Sequence, residues 1–256
     1  MAVKIALANQ KGGIGKTTSS IELAACFKNR GYNVLLIDLE QQCDTTKYSG
    51  GNMFKPGSYE AIKGTMPIKE AIQHVDEYDL LASSPALSNS DVEFSNPTDV
   101  LKLRKVLKEV NDDYDFILMD TNPGRNKLLN MAYIAADYVL IPAEADDGSV
   151  DGIKAIFKDL EEYNEAEWTD AEVMGIIYCR YENTGQHKFQ EEEIQKVLDE
   201  KGSDAFVMRV RKCIQATEAK SEGTSMQKGK KSCTAARDYR EIADRIIDMV
   251  DDGEEE

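Results

Sequence analysis

Apolar residues fall along the chain in short unbroken runs, separated by stretches with helical spacing. Val3–Ala8 is one such run; it ends at a glycine-rich turn and predicts a buried strand. Further runs predict strands over Val34–Ile37, Tyr78–Ala82, Phe116–Met119, Tyr138–Ile141, Val173–Tyr178 and Ala205–Met208. Between residues 16 and 30, Ile21, Leu23, Ala24 and Phe27 recur with helical spacing before Gly31, a helix with a glycine stop. Helices are likewise predicted over Ile68–Gln73, Val100–Val110, Lys127–Ala136, Ser149–Tyr163, Gln190–Lys201 and Ala235–Val250. Residues 44–66, rich in Gly, Thr, Ser and Pro, read as a loop with little regular structure.

Strands alternate with helices, and the strands are continuously apolar rather than alternating. That combination predicts an α/β fold, a doubly wound and mostly parallel sheet with helices on both faces. No repeat or linker divides the chain, so residues 1–250 read as one domain and 251–256 as an acidic tail. In such a sheet, functional loops sit at the carboxyl ends of the strands. Those positions are Gln10–Thr18, Asp38–Asp44, Asp120–Arg125 and Cys179–Gly185.

Composition narrows the class. The 256 residues are 41% hydrophobic and 30% charged, an ordinary globular mix. Five cysteines without a C-x-x-C pair argue against a disulfide framework or zinc finger and fit a reducing cytosol. Two histidines exclude a His-rich metal site. No apolar run reaches the ~18 residues of a membrane span, and the amino terminus turns polar too soon for a signal peptide.

The most specific chemistry follows the first strand. Lys11-Gly12-Gly13-Ile14-Gly15-Lys16-Thr17-Thr18 opens the first helix. Glycines let backbone N–H groups turn inward around phosphate oxygens, and the helix amino terminus adds partial positive charge. Lys16 is placed to neutralise the β- and γ-phosphates, and the Thr17 hydroxyl to hold Mg²⁺. A second signal is Phe116-Ile117-Leu118-Met119-Asp120, a hydrophobic strand ending in a carboxylate that would reach the metal.

The loop departs from the ordinary phosphate-loop pattern. Gln10 stands where a glycine is usual, and Lys11 lies inside the loop. In this it closely resembles the deviant Walker A motif of the ParA/MinD class of ATPases. The resemblance covers nearly the whole chain. Asp38-Leu39-Glu40-Gln41-Gln42 is similar to the family's D-x-D-P-Q segment, and Ala135–Pro142 to its A-A-D-x-V-L-x-P strand. Thr217-Glu218-Ala219 and Tyr239-Arg240-Glu241 match weaker segments near the end.

The resemblance implies an ATPase using ATP and Mg²⁺ and forming a nucleotide-sandwich homodimer. Lys11 would reach the partner's nucleotide, in the manner of an arginine finger. Asp38 would lie near the Mg²⁺ shell with Thr17 and Asp120. Glu40 would orient the attacking water, at a position where the family commonly has Asp. Asn122 stands where the family has proline in its second switch. By position, Arg180 and the stretch Arg209–Lys212, Arg211 included, are candidates to contact the base.

Charge distribution bears on the partner. The net charge of −16 argues against a polyanion, yet residues 206–240 carry nine basic and three acidic side chains. A local basic stretch is a candidate phosphate-backbone site. In the partitioning branch of the family such residues bind DNA non-specifically, which here implies Lys228, Lys230, Lys231 and Arg237. An adaptor protein resembling ParB would then stimulate hydrolysis, in the cytoplasm and on the nucleoid. The alternative is a nucleotide-gated dimerisation switch that binds proteins, with little hydrolysis or DNA binding. Membrane association of the MinD kind is disfavoured, because the last helix runs into Asp-Asp-Gly-Glu-Glu-Glu. An iron–sulfur branch lacks its cysteine spacing.

Overall fold

The computed structural model describes residues 1–254. Its eight strands are β1 (Val3–Leu7), β2 (Val34–Asp38), β3 (Ile72–His74), β4 (Asp79–Leu81), β5 (Phe116–Asp120), β6 (Tyr138–Ala143), β7 (Glu172–Tyr181) and β8 (Phe206–Arg211). They form one sheet in the order β3-β4-β2-β5-β1-β6-β7-β8. Every pairing is parallel except the β3–β4 edge hairpin. The expected doubly wound sheet is therefore present.

Among the described residues twelve α-helices accompany it. The first six are α1 (Lys16–Asn29), α2 (Asp44–Tyr48), α3 (Ser58–Lys63), α4 (Ile68–Ala71), α5 (Ser90–Glu93) and α6 (Lys102–Leu107). The others are α7 (Lys127–Ala135), α8 (Asp147–Glu165), α9 (Gly185–Lys201), α10 (Gln215–Ser221), α11 (Met226–Gly229) and α12 (Thr234–Glu254).

Side chains alternate across each strand. Ile5 and Leu7 of β1 therefore pack with α1 and α12, while Ala6 packs with α7 and α8 on the opposite face. Ile242 and Ile246 of α12 are fully buried, and Ile247 and Val250 pack partly buried against the same cluster. The apolar stripe of the last helix is thus core. Each fully buried Ile is worth roughly 1.5–3 kcal/mol of transfer free energy. Among the described residues no helix is long and apolar enough to cross a membrane.

Two local expectations are corrected. Residues 44–66 contain α2 and α3, helices of only five and six residues, too short to show a periodic pattern. The helix expected over Ile68–Gln73 stops at Ala71. Ile72 turns extended, with ψ of 134°, and begins the edge strand β3. The basic region holds α10 and α11 before the closing helix. Of the acidic tail, Glu255 and Glu256 lie outside the described residues.

Candidate nucleotide site

β1, β2 and β5 lie side by side, with Leu7 paired to Asp120 and Asp38 paired to Asp120 in register. The parallel register therefore brings the phosphate loop and both strand-terminal carboxylates to one edge of the sheet. The loop has the backbone that its glycines permit: Gly13 at φ +78° and Gly15 at φ +100° are left-handed. A Cβ on Gly15 would lie 3.0 Å from the Cys179 sulfur, so β7 packs directly beneath the loop. Gly12 and Ile14 complete the turn, with Ile14 fully buried, and Thr18 follows in the first turn of α1.

Lys16 opens α1 and is buried. Its Nζ donates to the carbonyls of Asn9 (3.1 Å) and Lys11 (2.9 Å), bridging the loop. Burial lowers its pKa, and the negative charges of Asp120 and Glu40 oppose that shift. Asp120 is fully buried and accepts from the hydroxyls of Thr17 (2.8 Å), Ser20 (3.2 Å) and Thr45. Burial raises its pKa against these bonds. Asp38 is fully buried too. It accepts from the backbone N–H of Glu40 (2.9 Å) and from both the N–H (2.8 Å) and hydroxyl (2.7 Å) of Thr46. Burial and the adjacent Asp120 push its pKa up to about 7. The structure thus brings Asp38 beside Asp120 but commits its carboxylate to anchoring the start of α2.

Glu40 is half-buried nearby, and burial followed by the charge of Asp120 pushes it up to about 7. Three carboxylates therefore converge with one buried cation, Lys16. The oxygens of Thr17, Thr45, Asp120 and Glu40 are hard donors of the kind Mg²⁺ takes. Carboxylates pushed up by burial, and for Asp38 and Glu40 also by the charge of Asp120, are groups that a divalent cation would hold ionised. The residues fit that ion.

Lys11 is exposed and pairs within its own chain with Asp146 at 2.5 Å. Asp146 also caps α8, accepting from the Gly148 N–H at 3.0 Å. Thr121 donates to the Leu7 carbonyl at 2.8 Å and is buried. Its hydroxyl is thereby committed to the backbone of β1. Asn122 places a buried side-chain oxygen without a partner among the described residues, beside Pro123, which lies 3.8 Å from where a Gly12 Cβ would be.

Next to the loop lies a cavity of about 240 Å³ lined by Gly15, Thr18, Arg180, Arg211, Cys213 and Lys220, among others. Arg180 and Arg211 thus line a cavity that also borders the phosphate loop. Arg180 pairs with Glu144 (2.6 Å), and Arg211 with the buried Asp238. Lys220 is a wall residue that the pattern did not mark; burial, then the charge of Arg180, lowers its pKa. The basic segment is partly neutralised. Lys228 pairs with Asp76, and Lys230 with Glu222 (3.2 Å) and Glu218 (3.5 Å). Lys231 and Arg237 are exposed.

The chain matches the AAA domain family over residues 2–173. It is 30% identical over 248 residues to the chromosome-partitioning ATPase Soj of Thermus thermophilus, covering 96% of each chain. It belongs to the ParA/Soj family of P-loop ATPases. Soj of Treponema pallidum is 29% identical over 251 residues, 96% of this chain and 98% of that one. A solved structure of a putative plasmid partition protein from Borrelia burgdorferi bound to AMPPNP superposes with a TM-score of 0.83 at 26% identity. It covers 97% of this chain and 100% of that one. Cyanothece McdA in complex with ATP has a TM-score of 0.87 at 19% identity, with 96% of each chain covered, a likeness of fold alone. Within this family, sequence reasoning missed Thr45, Thr46 and Ser20. The run Asp44-Thr45-Thr46 after a strand-terminal carboxylate was the available signal.

Proposed function

We propose that the chain is a partitioning ATPase that binds Mg·ATP, dimerises around two nucleotides, hydrolyses slowly and releases its partner on hydrolysis. The observation that carries this reading is the buried Lys16 bridging a left-handed glycine loop, with Thr17 bonded to Asp120 beside it. Arg180, Arg211 and Lys220 would surround the base. When bound, Mg²⁺ supplies charge neutralisation at the phosphates through Thr17 and Asp120, with Asp38 holding the neighbouring loop. Glu40 would orient water on one protomer, and Lys11 would leave Asp146 to meet the partner's phosphates.

ATP-dependent dimers would bind DNA through Lys228, Lys230, Lys231 and Arg237, with a ParB-like adaptor stimulating hydrolysis on cytoplasmic, nucleoid-associated DNA. The ion pairs of Lys228 and Lys230 favour a second reading, a nucleotide-gated dimer that signals to protein partners. Binding to random duplex DNA at low salt, with ATP, ADP or no nucleotide, separates the two. ATP-dependent, salt-sensitive binding absent from Lys16→Ala supports partitioning. Dimerisation without DNA binding supports the switch.

A further inference from the structure

The cavity beside the phosphate loop carries four cations on its wall, Arg180, Arg211, Lys212 and Lys220. Three have acids of their own. Arg180 pairs with Glu144 at 2.6 Å, Lys212 with Glu182 at 3.3 Å, and the Arg211 Nε donates to Asp238 at 3.0 Å. Among the described residues the Lys220 ammonium makes neither an ion pair nor a hydrogen bond. It stands instead over the Tyr48 ring, 5.3 Å from the centroid. Lys220 lies near the end of α10, and Tyr48 closes α2, so a ring from a second helix fixes where the ammonium stands. Tyr48 is itself packed on the apolar cluster that holds Met226, another wall residue. An ammonium offers three donors and no acceptor, and a donor taken from water without an acceptor is costly. The ring face offsets part of that cost. Burial, then the charge of Arg180, lowers the Lys220 pKa, opposed by Asp120, Asp44 and Glu22. A donor left open on a cavity wall is one that an acceptor on a ligand would complete.

We propose that Lys220 is a specificity-determining residue of this cavity: held over Tyr48, its ammonium donates to an unprotonated ring nitrogen of a purine base. The proposal rests on the cavity holding the base, as proposed above. Val210, Ile214, Ala216 and Met226 give the wall apolar surface for a flat ring, and a largely apolar pocket with a few placed polar groups is what a base needs. The ring nitrogens N1, N3 and N7 of adenine are acceptors that share one chemistry. Its exocyclic amino group is a donor and cannot meet an ammonium. The bond from Lys220 is charge-assisted, and therefore stronger than one between neutral groups. Replacing the contacted nitrogen by C–H removes the acceptor and keeps the shape of the ring.

The test sets ATP and its 1-deaza, 3-deaza and 7-deaza analogues, with Mg²⁺, in competition against a ribose-labelled fluorescent ATP. It uses the full-length protein and Lys220→Met, which keeps an unbranched apolar stem and removes the charge. In parallel, 8-azido-ATP is photolysed on the wild type and the labelled peptide is mapped by mass spectrometry. The wild type should bind one deaza analogue about tenfold more weakly than ATP. Lys220→Met should bind all four alike, near the wild type's affinity for that weak analogue. The photolabel should fall within residues 210–226. A wild type that binds all four alike overturns the proposal, and so does a Lys220→Met protein that still discriminates among them. A photolabel elsewhere refutes the base-cavity reading, and the proposal falls with it. A photolabel at the cavity with a flat deaza series leaves that reading standing and overturns the role of Lys220 alone.

Discussion

Glu22 sits in the middle of α1, 2% exposed, one turn beyond the phosphate loop. Its carboxylate accepts from the Met226 N–H at 2.7 Å and from the Gln227 side-chain amide at 3.1 Å, so it holds α11 against α1. Gln227 cannot turn to suit a protonated acid. Its amide also donates to the Ala236 carbonyl, and its oxygen accepts from Arg240. Burial nonetheless raises the Glu22 pKa from 4.5 to about 7, with Glu77 adding to the shift and the Met226 and Gln227 bonds opposing it. The folded chain therefore holds a proton that the unfolded chain has lost between these values, and stability falls as pH rises through that window. At about 1.36 kcal/mol per pH unit, the loss approaches about 3 kcal/mol by pH 8. Denaturant unfolding of the wild type and Glu22→Gln at pH 5, 6, 7 and 8 isolates it. The variant should gain on the wild type by about 2.5 kcal/mol between pH 5 and pH 8. A difference that is flat with pH, or that grows toward acid, would refute an ionised, desolvated Glu22.

Lys11→Ala should bind ATP with nearly unchanged affinity but lose hydrolysis and ATP-driven dimerisation, read by single-turnover kinetics and sedimentation; normal turnover would refute its trans role. Glu40→Ala should slow turnover by on the order of 10²-fold with ATP affinity retained, measured as phosphate release. Gly57→Ala should cost about 1–3 kcal/mol or more, read as a lower Tm. A Cβ there would lie 1.9 Å from the Ala82 carbonyl oxygen, which the Ser58 N–H also needs at 2.8 Å.

The sheet was legible because β1, β2, β5 and β6 are apolar on both sides and buried on both faces. Asp38 and Asp120 were legible because each ends such a run. What escaped were contacts made only in three dimensions. Thr45 and Thr46 lie in a five-residue helix, and their hydroxyls serve carboxylates from two different strands. The partner of Lys11 is Asp146, 135 positions away. The pattern marked Lys228 and Lys230 as basic, but their acids come from the β3–β4 turn and from α10, which no local reading joins to them.

Those pairs make the salt dependence of DNA binding a sharper test than affinity. Exposed ion pairs are worth about 0–1 kcal/mol each, so phosphate would displace Asp76 or Glu222 at little net gain. Among the described residues Lys231 and Arg237 make no ion pair. If only these two contact phosphate, a dimer neutralises about four phosphates and log K should fall with log salt at a slope near about −4. If Lys228 and Lys230 also release their acids, the contacts double and the slope steepens to about −7. Asp76→Asn then discriminates. It should strengthen DNA binding and leave the slope unchanged if Lys228 already contacts phosphate, and steepen the slope if the ion pair had withheld it. A slope near zero in the ATP state would mean that the basic segment serves a protein partner, and that its ion pairs are the resting surface of that interface.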